Sequence, residues 1–306
     1  MTFEGITFIT PSGKMAVLEV DRLNPYVLTG GSAGRIEKVA NFLKDAEIIR
    51  ASRGHVVVNG TFENLKVSAV SIGMGPGSAA ILLPEIIETA KGGFITIMRM
   101  GTCGGLQPYV RPGHFHIPTS SIRDEGTTQA VVGAEYPAIA SPEMIPVMLL
   151  ASQKHGYELG ENLWIGPVIT KDDLFFKQSP QFSPRRMELS SRHKSFREMG
   201  AISSEMEFSV YCILRDYYER YLTKRILVGC ILAVLDQPAE EGRIDLRNVD
   251  LARGMEAPEL EDSMIRIGLE TFVLMNRLRK GEDIKLDETI RKMIAMPPRS
   301  QLLGQR

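Results

Sequence analysis

The sequence predicts an α/β layered fold in a single domain, and two observations carry that prediction. Six short apolar runs rich in β-branched residues are bounded by glycine or polar residues, as buried strands tend to be: Tyr26–Leu28, Val67–Ile72, Phe94–Met98, Phe115–Pro118, Ile165–Thr170 and Ile226–Leu235. Stretches of helical period lie between several of them: Arg35–Leu43, with Ile36, Val39, Ala40 and Leu43 on one face, then Ser78–Thr89 and Ser204–Tyr221. Strands alternating with helices bury their apolar faces by layering helices on a sheet. A longer helical pattern, about Pro258–Arg279, precedes a charged stretch and Met296-Pro297-Pro298, so residues from about 281 to 306 are expected to form a C-terminal surface appendage. No internal repeat or low-complexity linker marks a boundary, and residues 1–306 are read as one domain.

Composition excludes several classes. A formal net charge of −1, with 43% hydrophobic and 24% charged residues, fits a globular protein with no basic excess for nucleic acid. Cys103, Cys212 and Cys230 form no C-x-x-C pair and lie in or beside apolar runs, so neither a disulfide framework nor a zinc site is expected. The N-terminus lacks a basic segment leading into an apolar stretch, and no apolar run reaches the roughly 18 residues of a membrane span. A cytoplasmic protein without a membrane partner is expected.

Three glycine-rich segments carry the chemistry. Gly30-Gly31-Ser32-Ala33-Gly34-Arg35 follows the first strand and opens a helix, so small residues let backbone N–H groups approach an anion while Arg35 adds a fixed charge. Gly73-Met74-Gly75-Pro76-Gly77-Ser78 invites a dinucleotide reading, but Ser78 stands where the third glycine of G-x-G-x-x-G belongs. Neither cluster matches a nucleoside triphosphate loop, and each also reads as plain strand-to-helix punctuation. The third segment is Met98-Arg99-Met100-Gly101-Thr102-Cys103-Gly104-Gly105. There a guanidinium beside a glycine turn offers a planar fork for phosphate and Thr102 adds a hydroxyl, although an arginine paired with an acidic neighbour is the competing reading.

In order along the chain these segments resemble the nucleoside phosphorylase family, closest to its uridine phosphorylases. Gly31–Arg35 is similar to the family's phosphate loop, Gly73–Gly77 to its second glycine turn, Arg99–Gln107 to its Arg-Ile-Gly-Thr-x-Gly-x-x-Gln segment, and Glu205-Met206-Glu207 to its ribose-binding Glu-Met-Glu. The resemblance implies a central mixed β-sheet flanked by helices. It implies that Gly31, Arg35, Arg99 and Thr102 hold phosphate and that Met206 and Glu207 hold ribose. From spacing alone, Ser204-x-x-Glu207 is also a helix capping box.

Asp173-Leu174-Phe175-Phe176 resembles the segment preceding the uracil-binding residues, so Phe175 is expected to stack on the base, with Cys103 and Gly104 lining it. An amide can donate to a uracil carbonyl and accept from its N–H, and a guanidinium can donate to a carbonyl. Gln178 or Gln181 and Arg185 or Arg186 are the candidates, and Gln181 with Arg186 are chosen. Arg99, Glu207 and Arg186 are the expected catalytic residues. Arg53, in Ala51–His55, lies where the family places an arginine that reaches a neighbouring subunit, implying a homodimer or higher assembly with shared active sites.

The resemblance thus implies phosphorolysis of uridine to uracil and ribose 1-phosphate, in pyrimidine salvage, with inorganic phosphate as co-substrate and neither cofactor nor metal. Two departures keep other substrates in view. Asp236 stands where purine-cleaving members carry an acidic proton donor, and residues 1–30 contain no histidine to match the family's N-terminal ribose ligand. The alternatives are a purine nucleoside phosphorylase, a nucleosidase, or a non-catalytic nucleoside-binding protein on the same fold. His114 and His116 have no carboxylate company and are read as packing or surface residues rather than metal ligands.

Overall fold

Strand β1 (Tyr26–Gly30) is buried along its whole length and lies between β4 (Leu65–Ser71) and β5 (Phe94–Gly105), parallel to both. That placement explains its near-continuous apolar run, because both faces are covered. A computed structural model of the chain describes residues 5–236, 257–297 and 299–302. Within it a mixed ten-stranded sheet runs β10 (Arg225–Asp236), β6 (Phe115–Asp124), β8 (Leu163–Lys171), β9 (Ser203–Glu205), β5, β1, β4, β3 (Val56–Phe62) and β2 (Lys44–Arg50), with β7 (Ala138–Ile139) paired to β6. Each predicted strand is present. Strand β10 also pairs with β5 in parallel, so β5, β10, β6, β8 and β9 close into a ring of strands, which the linear pattern does not reveal.

Helices α1 (Ala33–Val39), α2 (Pro76–Thr89), α3 (Met144–Lys154), α4 (Arg186–Glu198), α5 (Phe208–Tyr221) and α6 (Ala257–Arg279) flank this sheet, and α7 (Asp287–Ile294) follows. One contiguous core of buried side chains extends from Met15 to Leu302. The helical pattern expected over Arg35–Leu43 ends sooner, since residues Ala40–Phe42 tighten into a 3₁₀ turn. The pattern expected from Ser204 begins only at Phe208, because Ser203–Glu205 pairs with both β5 and β8. The stretch after residue 281 lies along α3: Lys292 pairs with Glu158 at 3.0 Å, the buried Thr289 hydroxyl donates to Gln153 at 3.2 Å, and Ile284 and Leu302 are buried. Among the described residues, no helix is long and apolar enough to cross a membrane.

Candidate active site

The parallel register of β1 and β5 sets Thr29 opposite Arg99 and Gly30 opposite Met100, so the first and third glycine-rich segments leave the sheet side by side. The second joins them, because a Cβ added at Gly31 would meet the Gly73 carbonyl oxygen at 3.1 Å. A side chain at Gly31 would press on that backbone, so glycine favours the approach. Arg99 is 4% exposed and lies over Gly101, where a Cβ would meet its Nη2 at 2.8 Å. Its Nε donates to Glu205 Oε2 at 3.1 Å, its Nη2 donates to Glu207, and its Nη1 is buried without a hydrogen-bond partner among the described residues. Burial opposes the Arg99 charge, but Glu207 and Glu205 together outweigh it and hold the guanidinium protonated well beyond its ordinary range.

Arg35 approaches the same place from α1. Its Nε donates to Glu261 of α6 at 3.2 Å and its Nη1 to the Met100 carbonyl at 3.4 Å. Burial pulls its pKa below the ordinary value despite the attraction of Glu261, and the charge of Arg99 adds to that pull. A buried guanidinium and a half-buried one that repel each other, the first with an N–H left unpaired among the described residues, form a setting that an anion stabilises.

The two readings of Glu207 separate here. Glu205, not Ser204, caps α5: its carboxylate accepts from the Glu207 N–H at 2.8 Å and the Phe208 N–H at 3.0 Å, and the Thr170 hydroxyl donates to it as well. The Ser204 hydroxyl has no partner among the described residues, so the Ser204-x-x-Glu207 capping box does not form. Glu207 is released from capping and turns to the second glycine turn, accepting from the Gly75 N–H at 2.6 Å. Gly75 holds φ at +90°, a conformation suited to glycine, and this aims the N–H. Burial raises the Glu207 pKa above the usual carboxylate range, against the pull of Arg99.

A second group of polar residues surrounds Gly104. Register sets Asp236 opposite Gly104, and a Cβ there would meet Asp236 Oδ1 at 2.5 Å and Gln178 Nε2 at 2.9 Å. Lys171, at the end of β8, donates to Gln178 Oε1. Burial raises the Asp236 pKa, partly offset by Lys171. Cys103 is buried beside them, its thiol pushed up to about 12 mainly by burial.

Residues 25–256 match the family described as the phosphorylase superfamily. The chain belongs to the phosphorylase superfamily. It is 28% identical over 261 residues to a uridine phosphorylase of Treponema pallidum, covering 84% of this chain and 92% of that protein. It is 26% identical over 166 residues to a guanosine phosphorylase of Halorubrum lacusprofundi, covering 54% of this chain and 66% of that protein. Its fold is similar to that of a uridine phosphorylase from Vibrio fischeri solved with 6-hydroxy-1-naphthoic acid, with a TM-score of 0.66, 21% identity, and coverage of 85% of this chain and 96% of that one.

In this phosphorylase-superfamily chain, the structure brings Gly31, Arg35, Arg99 and Glu207 together, with Thr102, Cys103, Gly104 and Met206 on the adjoining backbone. It does not bring Gln181 or Arg186 to them. Both are exposed, and Arg186 is the first residue of α4. Arg185 is spent on a surface ion pair with Glu188. Phe175 is 72% exposed on the loop after β8. Arg53 is exposed on the turn between β2 and β3, while His55 on the same turn leans on the second glycine turn of its own chain, its Nδ1 3.0 Å from the Ser71 carbonyl. His116 is buried between the Ser203 hydroxyl and the Gly166 carbonyl, its pKa lowered to about 3 by burial, and His114 accepts from the Trp164 indole at 3.0 Å. Both are packing residues. Sequence reasoning missed Lys171 and Glu261. Neither belongs to a motif, and the only signal for Lys171 was a lysine ending an otherwise apolar run.

Proposed function

We propose that this chain is a nucleoside phosphorylase that cleaves uridine with inorganic phosphate, needing no further cofactor. The observation that carries the phosphorolytic reading is Arg99: a buried guanidinium with two N–H groups on carboxylates and Nη1 unpartnered among the described residues, next to Arg35 and two touching glycine turns. An unpaired buried donor costs about 1–3 kcal/mol, and an anion bound there removes that cost. Phosphate held by Arg35 and Arg99 attacks the anomeric carbon while the bond to the base nitrogen breaks. The bonding pair leaves with the base, and positive charge builds transiently on the sugar. Glu207 fixes the ribose hydroxyls and offsets that charge.

The uracil reading rests on Gln178, whose amide lies against Gly104 and which takes the role first given to Gln181. Phe175 is the aromatic that would cover the ring. Asp236 favours a second reading: a half-buried carboxyl whose pKa is raised by burial suits protonation of a purine ring nitrogen. We further infer that sites are shared across a two-fold interface, with Arg53 reaching the neighbour's phosphate.

The test is ultraviolet-monitored cleavage of uridine, thymidine, inosine and adenosine, each with and without phosphate. Phosphate-dependent cleavage with uridine preferred is the expected result. Preference for inosine would transfer the base chemistry to Asp236, and phosphate-independent cleavage would make the protein a nucleosidase.

A further inference from the structure

Lys171 is 4% exposed, and among the described residues its one hydrogen bond goes to Gln178 Oε1. An ammonium has three N–H groups, and a buried one with donors to spare is costly unless something completes its shell. Its surroundings come from every side. Asp236 faces it from β10, Glu205 from β9, Cys103 from β5 and Asp173 from the following loop, while His193 and Arg192 of α4, Lys177 and Asp124 line the small cavity beside it. The carboxylates attract Lys171, yet none forms an ion pair with it among the described residues. The ammonium therefore sits beside Gln178, whose amide lies against Gly104, and within the attraction of Asp236, with hydrogen-bonding capacity unused among the described residues.

We propose that Lys171 donates to a carbonyl oxygen of the departing base and so selects oxo bases, uracil or a 6-oxopurine, over amino bases such as cytosine and adenine. The proposal rests on the phosphorolytic reading of the site. As the phosphate oxygen bonds to the anomeric carbon and the glycosidic bond breaks, the electron pair passes to the base ring and is shared by its nitrogen and carbonyl oxygen. That oxygen accepts from Nζ–H more strongly as its charge grows, which is transition-state stabilisation. An exocyclic amino group would instead meet the ammonium donor to donor. Sites built to pair one polar pattern reject the opposite one strongly. Burial holds the Lys171 pKa at about 8, against the pull of Asp236 and Glu205, so its charge is lost as pH rises through that value. His193, lowered to about 4, and Cys103, raised to about 12, do not titrate in that window.

The test has a kinetic and a binding arm. Relative kcat/KM for uridine against cytidine, and for inosine against adenosine, is measured for the wild type, Lys171→Met and Lys171→Gln, alongside calorimetric binding of free uracil and cytosine. Oxo preference should fall at least about tenfold in both variants, the loss expected for one charge-assisted hydrogen bond, with a matching loss of uracil binding. Unchanged ratios and unchanged uracil binding in folded variants would overturn the assignment while leaving phosphorolysis intact. If the variants do not fold, the wild type decides: uracil binding should weaken between about pH 7 and pH 8.5, and a flat profile overturns the proposal. A wild type that cleaves nothing would sink the phosphorolytic reading, and the binding arm would still judge Lys171.

Discussion

The two ends of the candidate site are built differently. At the proposed phosphate and ribose end, Arg35, Arg99 and the first and third glycine segments follow adjacent parallel strands, and opposing charges are locked in ion pairs. At the proposed base end, Lys171 and Gln178, from the end of β8 and the loop that follows it, meet Asp236 where β10 pairs with β5, and the loop from residue 172 carries exposed Leu174, Phe175 and Phe176. A preorganised end suits charge stabilisation, which gains most when donors need no rearrangement. An end made from a loop suits base choice, because loops vary without disturbing the sheet.

The largest expected effect tests the rigid end. Arg99→Ala should lower kcat/KM for phosphorolysis on the order of 100-fold or more. It also leaves Glu205 and Glu207 buried without their cation, so the melting temperature should fall as well, by an amount reflecting about 3–5 kcal/mol. Rates normalised to folded protein separate the two effects, and near-normal phosphorolysis would remove Arg99 from the site.

At the loop end the expected effect is smaller. Gln178→Ala should cost about 1–3 kcal/mol in transition-state binding, read as kcat/KM, because it leaves a base edge unpaired. Gln181→Ala, on the exposed side of the loop, should change little. The reverse pattern would mean that the loop closes on the base in another register.

These ends also differed in how legible they were. Arg35 and Arg99 stand in local motifs where strand, glycine turn and charge are contiguous, so their grouping could be read from the chain, whereas spacing alone made Glu207 a helix cap and only the family resemblance put it with them. The meeting of Asp236 with Gly104 depends on the β10–β5 pairing, a long-range closure that leaves no periodicity in either strand. Lys171 was hidden because a lone lysine after an apolar run looks like a strand end. The start of α5 was misjudged because Ser204 has the chemistry of a cap, whereas the adjacent Glu205 takes those N–H groups once its strand is paired. Strand β2, exposed and rich in charge as an edge strand often is, offers only the Ile48-Ile49 pair and no apolar run.

The smallest effect asks whether the rigid end is complete within one chain. If Arg53→Ala and Glu207→Ala each inactivate, random remixing of the two variants should restore about a quarter of wild-type activity, since each mixed dimer holds one site with both defects and one with neither. With exchange verified by differential tags, no recovery would return Arg53 to its own chain or exclude it from the site.

The central claim is that phosphate, held by Arg35 and Arg99, is the nucleophile. The most direct measurement is phosphorus NMR of uridine incubated with the protein and inorganic phosphate. A sugar 1-phosphate resonance growing in step with released uracil is the predicted result. Free ribose with the phosphate signal unchanged would contradict the account.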